Sequence, residues 1–233
     1  MMYLKQHPIR DMDTWFRHAP PMGGSTQWAE GRSAMELARY MTAHLPYVPY
    51  EIEQALTALV PDSAVFSWDA EYVTELPGKG QGRNHDAVLW NRQVFVGIEG
   101  KADESLGNGF VASEYERGSR NKKQRISVLS DMIWGDEPTN HTDIRYQLLT
   151  AATAILLEAT RPERSVSKAV FLVIVFKKPG KYHPEKIRAN DHDIRAFLES
   201  THAVAEGSLY RIPTKYGAEH GVDLYFKKIE IDL

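Results

Sequence analysis

The sequence predicts an α/β (α+β) fold in which a central mixed β-sheet is flanked by helices. Three observations carry that expectation. Apolar residues recur at helical spacing in the stretches 29–45, 120–135, 142–160 and 184–200. Alternating or continuous runs of β-branched and aromatic residues occupy 64–76, 83–101, 168–176 and 222–233. The two kinds are interleaved as helices, a strand meander, helix, strand, helix, strand, the order of helices packed on a mixed sheet.

Residues 1–28 are rich in Pro, Gly and aromatics and read as an irregular arm. The 29–45 helix places Ala34, Leu37, Ala38, Met41 and Leu45 on one face, and Pro46 and Pro49 end it. A shorter helix follows from Tyr50 to Val60. Residues 64–76, "AVFSWDAEYVTEL", alternate as a strand does, and "PGKGQGR" (77–83) is a loop. Two apolar strands around Asn91 then form a hairpin. The 120–135 helix is amphipathic with a basic start. The 142–160 helix is the strongest, with Thr142 or Asp143 as its cap and Pro162 beyond its end. "KAVFLVIVF" (168–176) is continuously apolar, as a strand buried on both faces is. A helix at 184–200 and a strand at 222–233 complete the chain. The 233 residues fit one domain, with residues 50–176 as its motif-bearing core.

Composition bounds the function. The chain has no cysteine, which removes disulfides, thiolate metal sites and thiol nucleophiles. The first residues show no apolar signal core, and no run reaches the ~20 apolar residues of a membrane helix, so a cytoplasmic protein with no membrane partner is expected. With a net charge of −3, any nucleic-acid footprint must be local. The nine histidines are scattered without metal-ligand spacing, and no Gly-x-Ser-x-Gly elbow occurs. "GKGQGR" lacks the Gly-Lys-Ser/Thr ending of a phosphate loop.

The hairpin 83–101, "RNHDAVLWNRQVFVGIEGK", poses the chemical question, because charges stand at the ends of its most apolar strands. A two-residue Asn91-Arg92 turn pairs Trp90 with Gln93 and sets Asp86 opposite Gly97, which leaves room beside it. Alternation then puts Asp86, Val88 and Trp90 on one face with Gly97, Glu99 and Lys101. Two carboxylates at the end of a buried hairpin are costly unless paired or bound to a cation. They can be structural, with Glu99 paired to Lys101 or a nearby Arg. They can also be hard oxygen ligands for Mg²⁺, with the Gly100 carbonyl as a third. Lys101 would then orient or deprotonate a water, or neutralise phosphate charge.

An acid on one strand followed by Glu-x-Lys on the next resembles the signature of the PD-(D/E)xK nuclease superfamily, the restriction-endonuclease-like fold. The matching residues are Asp86, Glu99 and Lys101, with His85 where the proline of the family's name would stand. The resemblance implies a mixed sheet with flanking helices and Mg²⁺-dependent hydrolysis of phosphodiesters, with Mn²⁺ as a substitute. It also implies a supporting Gln at the start of the following helix, matched by Gln147, and an acid on the helix before the first core strand. Glu51 and Glu53 are the candidates for that acid, with Glu36 behind them. The expected partner is nucleic acid, DNA before RNA, and a homodimer is compatible with the resemblance.

Phosphate contacts are expected from Lys79 and Arg83 of the loop beside Asp86, and from Arg120, Lys122 and Lys123 of the basic run 117–125. A second basic turn lies at 176–183. Solvated surface is the alternative for each. The expected function is a Mg²⁺-dependent nuclease, or else a catalytically inactive binding module of the same fold.

Overall fold

The computed structural model describes residues 2–3, 9–21, 23–61, 64–102, 104–177 and 184–233. Residues 178–183 of the second basic turn lie outside them. Eight strands form one mixed sheet among the described residues. They are β1 (Met2–Tyr3), β2 (Phe66–Thr74), β3 (Arg83–Trp90), β4 (Val94–Lys101), β5 (Lys168–Lys177), β6 (Val204–Glu206), β7 (Leu209–Ile212) and β8 (Asp223–Asp232). Their order is β1-β2-β3-β4-β5-β8-β7-β6. The meander β2-β3-β4 is antiparallel, β4, β5 and β8 run parallel, and β7 and β6 return antiparallel. The expected mixed sheet with flanking helices is present.

Helices cover both faces. On one side α1 (Met12–His18), α2 (Ser33–Ala43) and α3 (Tyr50–Leu56) bury Trp15, Leu37, Met41 and Ile52 against Leu89, Val96 and Leu172 of the sheet. On the other, α4 (Val111–Arg117), α5 (Arg120–Ile133), α6 (Tyr146–Ala159), α7 (Pro184–Ser200) and α8 (Lys215–His220) enclose a second core. It contains Ile126, Leu148, Ile155 and Phe197, with Val88, Phe95 and Phe171 from the sheet. β4 is buried at every position and β5 at all but its ends, as strands between two helical layers must be.

Several boundaries differ from expectation. The N-terminal arm is not irregular throughout: α1 forms over seven residues because Asp11 and Thr14 cap it reciprocally. The strongest helix starts at Tyr146 rather than 142, so neither Thr142 nor Asp143 caps it, and Arg145 holds the cap position in extended backbone.

The hairpin turn is Arg92-Gln93, one residue later than the sequence reading. The Asn91 N–H donates to Val94 O at 3.1 Å, and Asn91 Oδ1 accepts from the N–H groups of Gln93 and Val94 at 2.8 and 3.0 Å. This side-chain turn fixes the loop. The register therefore moves by two residues. Gly97 pairs with Val88, and one step past the last pair, Ala87 with Ile98, Asp86 falls opposite Glu99. Gly97 makes room not for Asp86 but for α6, since a Cβ there would stand 2.5 Å from Ile155 Cγ1.

Simple alternation also fails at one point. In β2, Phe66, Trp68 and Ala70 face the α1–α3 core, yet Tyr72, of the same parity, packs on the α5–α6 core. Between them Glu71 has φ +50°, the left-handed region that L side chains seldom adopt. In β3, Ala87 and Leu89 face α1–α3, whereas His85 Nδ1 lies 3.2 Å from where a Gly97 Cβ would sit, on the α6 side. The β2–β3 pairing runs from Ala70–Ala87 to Tyr72–His85 and omits Glu71 and Asp86. Both strands thus exchange their inward faces at Glu71 and Asp86, and this seam lies at the candidate site.

Candidate functional site

The seam opens into a cavity of about 470 Å³. Asp86, Glu99, Lys101 and Gln147, all predicted from sequence, line it together with Arg83. α2 supplies Ser33 and Ala34 to its wall, and the segment after β4 supplies Glu104. Glu104 accepts from Ser33 N at 3.2 Å and from Ser33 Oγ at 2.9 Å, fastening that segment to the start of α2.

Asp86 comes from the break in β3. Its Oδ2 accepts the Gly100 N–H at 2.7 Å. In an extended strand the N–H and carbonyl of one residue point to the same side, so the Gly100 carbonyl is directed toward β3 as well. A Cβ on Gly100 would make a tight contact with Leu37 Cβ at 3.3 Å and an ordinary one with Asp86 Oδ2 at 3.5 Å.

Glu99 and Lys101 are nearly fully buried, at 3% and 4% exposure. Lys101 Nζ donates to Glu99 Oε1 at 2.9 Å, and Gln147 Nε2, from the first turn of α6, donates to the same oxygen at 2.5 Å. Arg83 pairs with Oε2. Glu99 therefore has two cations and an amide on one carboxylate.

The electrostatics divide the two acids. Burial pushes the Glu99 carboxyl up, but Arg83 and Lys101 outweigh it and hold the group at about 2. Asp86 is pushed well above the ordinary aspartate value, first by burial and then by the charge of Glu99, with Lys101 only partly opposing. Burial alone would weaken the Lys101 ammonium, yet Glu99 and Asp86 more than compensate, so it stays protonated. Lys101 is thus a charged donor rather than a proton acceptor.

By sequence parity Glu71 and Glu75 share a face of the 64–76 strand, as added charge for a metal or as solvated edge positions. Glu71 lines the cavity from β2, and Asn84 Nδ2 donates to its Oε2 at 2.5 Å. Burial and the charge of Glu99 raise the Glu71 carboxyl to about 7, against the Asn84 hydrogen bond. Its parity with Glu75 hinted at added negative charge, but the face exchange that brings it inward has no sequence signal. Ser33 and Glu104 are likewise invisible as a pair before folding.

Other expectations are corrected. Glu51 accepts from Tyr40 OH at 2.7 Å, and Glu53 lines a small apolar hollow beside Leu56, so neither acid reaches the cavity. Glu36 is buried elsewhere, receiving Gly31 N and Arg39 Nη1, each at 2.7 Å. Of the residues expected to touch phosphate, Arg83 opens β3 and pairs with Glu99 in the cavity wall. Lys79 and Arg120 are exposed and do not line the cavity. Lys122 pairs with Glu114 and sits 5.7 Å from the Tyr146 ring centre, and Lys123 lies 5.6 Å from that of Tyr115. Arg125 binds the carbonyls of Pro77, Gly78 and Gln81 at 3.1, 3.1 and 2.6 Å, tying the loop before β3 to α5.

Do these residues fit a divalent cation? Among the described residues no three His, Asp or Glu side chains form a group able to hold an ion by themselves. Asp86, Glu99 and the Gly100 carbonyl nevertheless offer hard oxygen donors of the kind Mg²⁺ accepts alongside several waters. Burial first and the charge of Glu99 second raise the Asp86 carboxyl, and a cation beside it would favour its charged form. The donor set fits.

No helix among the described residues is long and apolar enough to cross a membrane. A family model described as "Domain of unknown function (DUF6946)" matches residues 8–233. Neither the curated proteins nor the solved structures compared with the chain gave a match.

Proposed function

The chain belongs to the DUF6946 family, and we propose that it is a divalent-metal-dependent nuclease that hydrolyses phosphodiester bonds, with DNA as the first candidate substrate. One observation carries this reading: Asp86 and Glu99 meet across the end of the β3–β4 hairpin in one cavity, with Lys101 and Gln147 both on Glu99. That is the arrangement which the resemblance to the PD-(D/E)xK nucleases leads one to expect of these residues.

Asp86 and Glu99 would hold Mg²⁺ or Mn²⁺, with the Gly100 carbonyl. When bound, the cation supplies Lewis acidity and a more acidic water. The chain's own groups do the rest. Lys101, protonated, positions the attacking water, whose proton passes to solvent, and screens the negative charge that grows on the phosphate. Gln147 fixes Glu99 Oε1, and Arg83 fixes Oε2.

The full engagement of Glu99 favours a second reading. A carboxylate with both oxygens already satisfied can be a structural anchor, and the domain then a non-catalytic binding module. The deciding experiment is cleavage of plasmid, single-stranded DNA and RNA by wild type and Asp86→Ala, with Mg²⁺, Mn²⁺ or EDTA. Metal-dependent cutting that disappears in a folded Asp86→Ala protein supports the nuclease. A folded Asp86→Ala protein that cuts as well as wild type sinks the assignment.

A further inference from the structure

A second cavity, of about 430 Å³, lies beside the first, and the two share Arg83, Asn84 and Gln147 as a common wall. Each carboxamide in that wall spends its amide nitrogen on the catalytic side, Gln147 on Glu99 and Asn84 on Glu71, both at 2.5 Å. Asn84 Oδ1 is left buried with no partner in the protein, as is Arg83 Nε. Gln147 Oε1 lies 3.5 Å from where a Cβ on Gly107 would stand, and Gly107 lines the second cavity. Gln81 and Asn108 add two more carboxamides and Tyr146 an aromatic ring, while Glu114 is paired with Lys122 and the Arg125 guanidinium is already bound to the carbonyls of Pro77, Gly78 and Gln81.

Asn84 Oδ1 and Arg83 Nε are sealed from the cavity, and the groups that line it are the Gln147, Gln81 and Asn108 carboxamides and the Tyr146 ring. Carboxamides pair with the edges of nucleobases, and an aromatic ring stacks on their faces. We propose that this second cavity seats one unpaired nucleobase next to the scissile phosphate, so the substrate is single-stranded or locally unpaired nucleic acid. The proposal rests on the nuclease reading of the neighbouring cavity. A base inside a duplex is stacked and its pairing edge is occupied, so it reaches such a pocket only when splayed out.

The test measures binding and cutting separately. Fluorescence anisotropy in EDTA reports the affinity of wild type, Tyr146→Ala and Asn108→Trp for labelled single-stranded DNA, single-stranded RNA and a blunt duplex of the same sequence. Cutting of the same oligonucleotides in Mg²⁺ is followed in parallel. Asn108 is exposed, so its replacement fills the pocket mouth with little risk to the fold. Single strands should bind tighter than the duplex, and each variant should weaken that binding by roughly tenfold, as loss of one stacked base does. A scan of single abasic sites along the strand should show one position that matters. Variants that bind and cut like wild type, or equal affinity for duplex and single strand, overturn the pocket assignment while leaving a nuclease intact. Tyr146-dependent binding of single strands with no cutting under any metal keeps the pocket and removes the catalytic reading. Binding of neither DNA nor RNA removes both.

Discussion

Lys101 reaches back along its own strand to Glu99: Nζ lies 2.9 Å from Oε1, with both side chains buried. A pair so enclosed has two jobs that a substitution can separate. Lys101→Met leaves Glu99 with Arg83 and Gln147, and should lower stability in urea by about 1.5–3 kcal/mol, the range for a hydrogen bond to a charged group. Cutting should fall by ~10²–10³-fold, as for loss of one donor to developing charge. Lys101→Arg should recover part of the stability but not the rate, because a planar guanidinium does not place its donors where an ammonium does. Full activity in Lys101→Arg would argue that only the charge matters.

Asp86 is an expensive residue for the fold. Its carboxyl is raised by burial and by Glu99, so ionisation favours the unfolded chain. The stability it permits is complete below the ordinary value of 3.8 and is lost as pH rises through the raised folded value. Asp86→Asn should therefore unfold at higher urea than wild type at pH 8 in EDTA, with the gap closing as pH falls toward 4. Cutting should be lost in the same protein. A variant less stable than wild type at pH 8 would show that the carboxylate contributes favourably without metal.

A cation at this site should reverse that penalty. Thermal melts of wild type should move upward with Mg²⁺ or Mn²⁺, by an amount equal to about 2.7 kcal/mol at a hundredfold excess over Kd. Asp86→Asn should show no such shift. Identical shifts in both proteins would place the metal elsewhere.

His85 is buried with Nε2 unpartnered, and burial together with Arg83 lowers it from 6.5 to about 3. The unfolded chain therefore binds the extra proton between those values, and stability present above 6.5 is lost as pH falls toward 3. The contribution is at most ~1.4 kcal/mol per pH unit. Urea midpoints of His85→Gln measured from pH 7 down to 4 should fall less steeply than those of wild type. Parallel curves would mean that His85 finds a partner in solution.

Gly97 tests the packing that sets the hairpin. A Cβ there would stand 2.5 Å from Ile155 Cγ1 and 2.7 Å from Cδ1. Gly97→Ala should cost about 1–3 kcal/mol by overpacking, and Ile155→Val in the same chain should recover part of it. Strict additivity of the two changes in a denaturation cycle would show that the residues do not touch.

How far the sequence foretold this depends on the element. β3, β4 and β5 carry their burial in continuous apolar runs, and α5, α6 and α7 carry theirs in period. Glu99 and Lys101 were legible because strand parity puts them on one face, and Gln147 because it starts a helix, whereas Asp86 was picked on an alternation that breaks at Asp86 itself. The short pieces α1, α4, β6, β7 and α8 span three to seven residues, too few for a period to show. Glu71 was noticed only for its parity with Glu75, because its left-handed backbone is imposed by the break opposite Asp86 rather than by its own preference. Glu51 and Glu53 misled because the wall where an acid was expected is filled instead by Ser33 and Glu104.

The sheet order has a consequence for how the molecule assembles in time. β2, β3 and β4 are neighbours in sequence, joined by the loop 75–82 and a tight turn, and hairpins of this kind close on the scale of microseconds. The other half of the sheet waits on distant partners, Val94 with Lys168 and Lys168 with Asp223. Such non-local pairings form more slowly than local ones, because the intervening loop must close first. Glu71, Arg83, Asp86, Glu99 and Lys101 therefore meet early in a meander whose β4 edge still lacks β5. A refolding experiment should detect the charged cluster before the parallel strands are protected from hydrogen exchange.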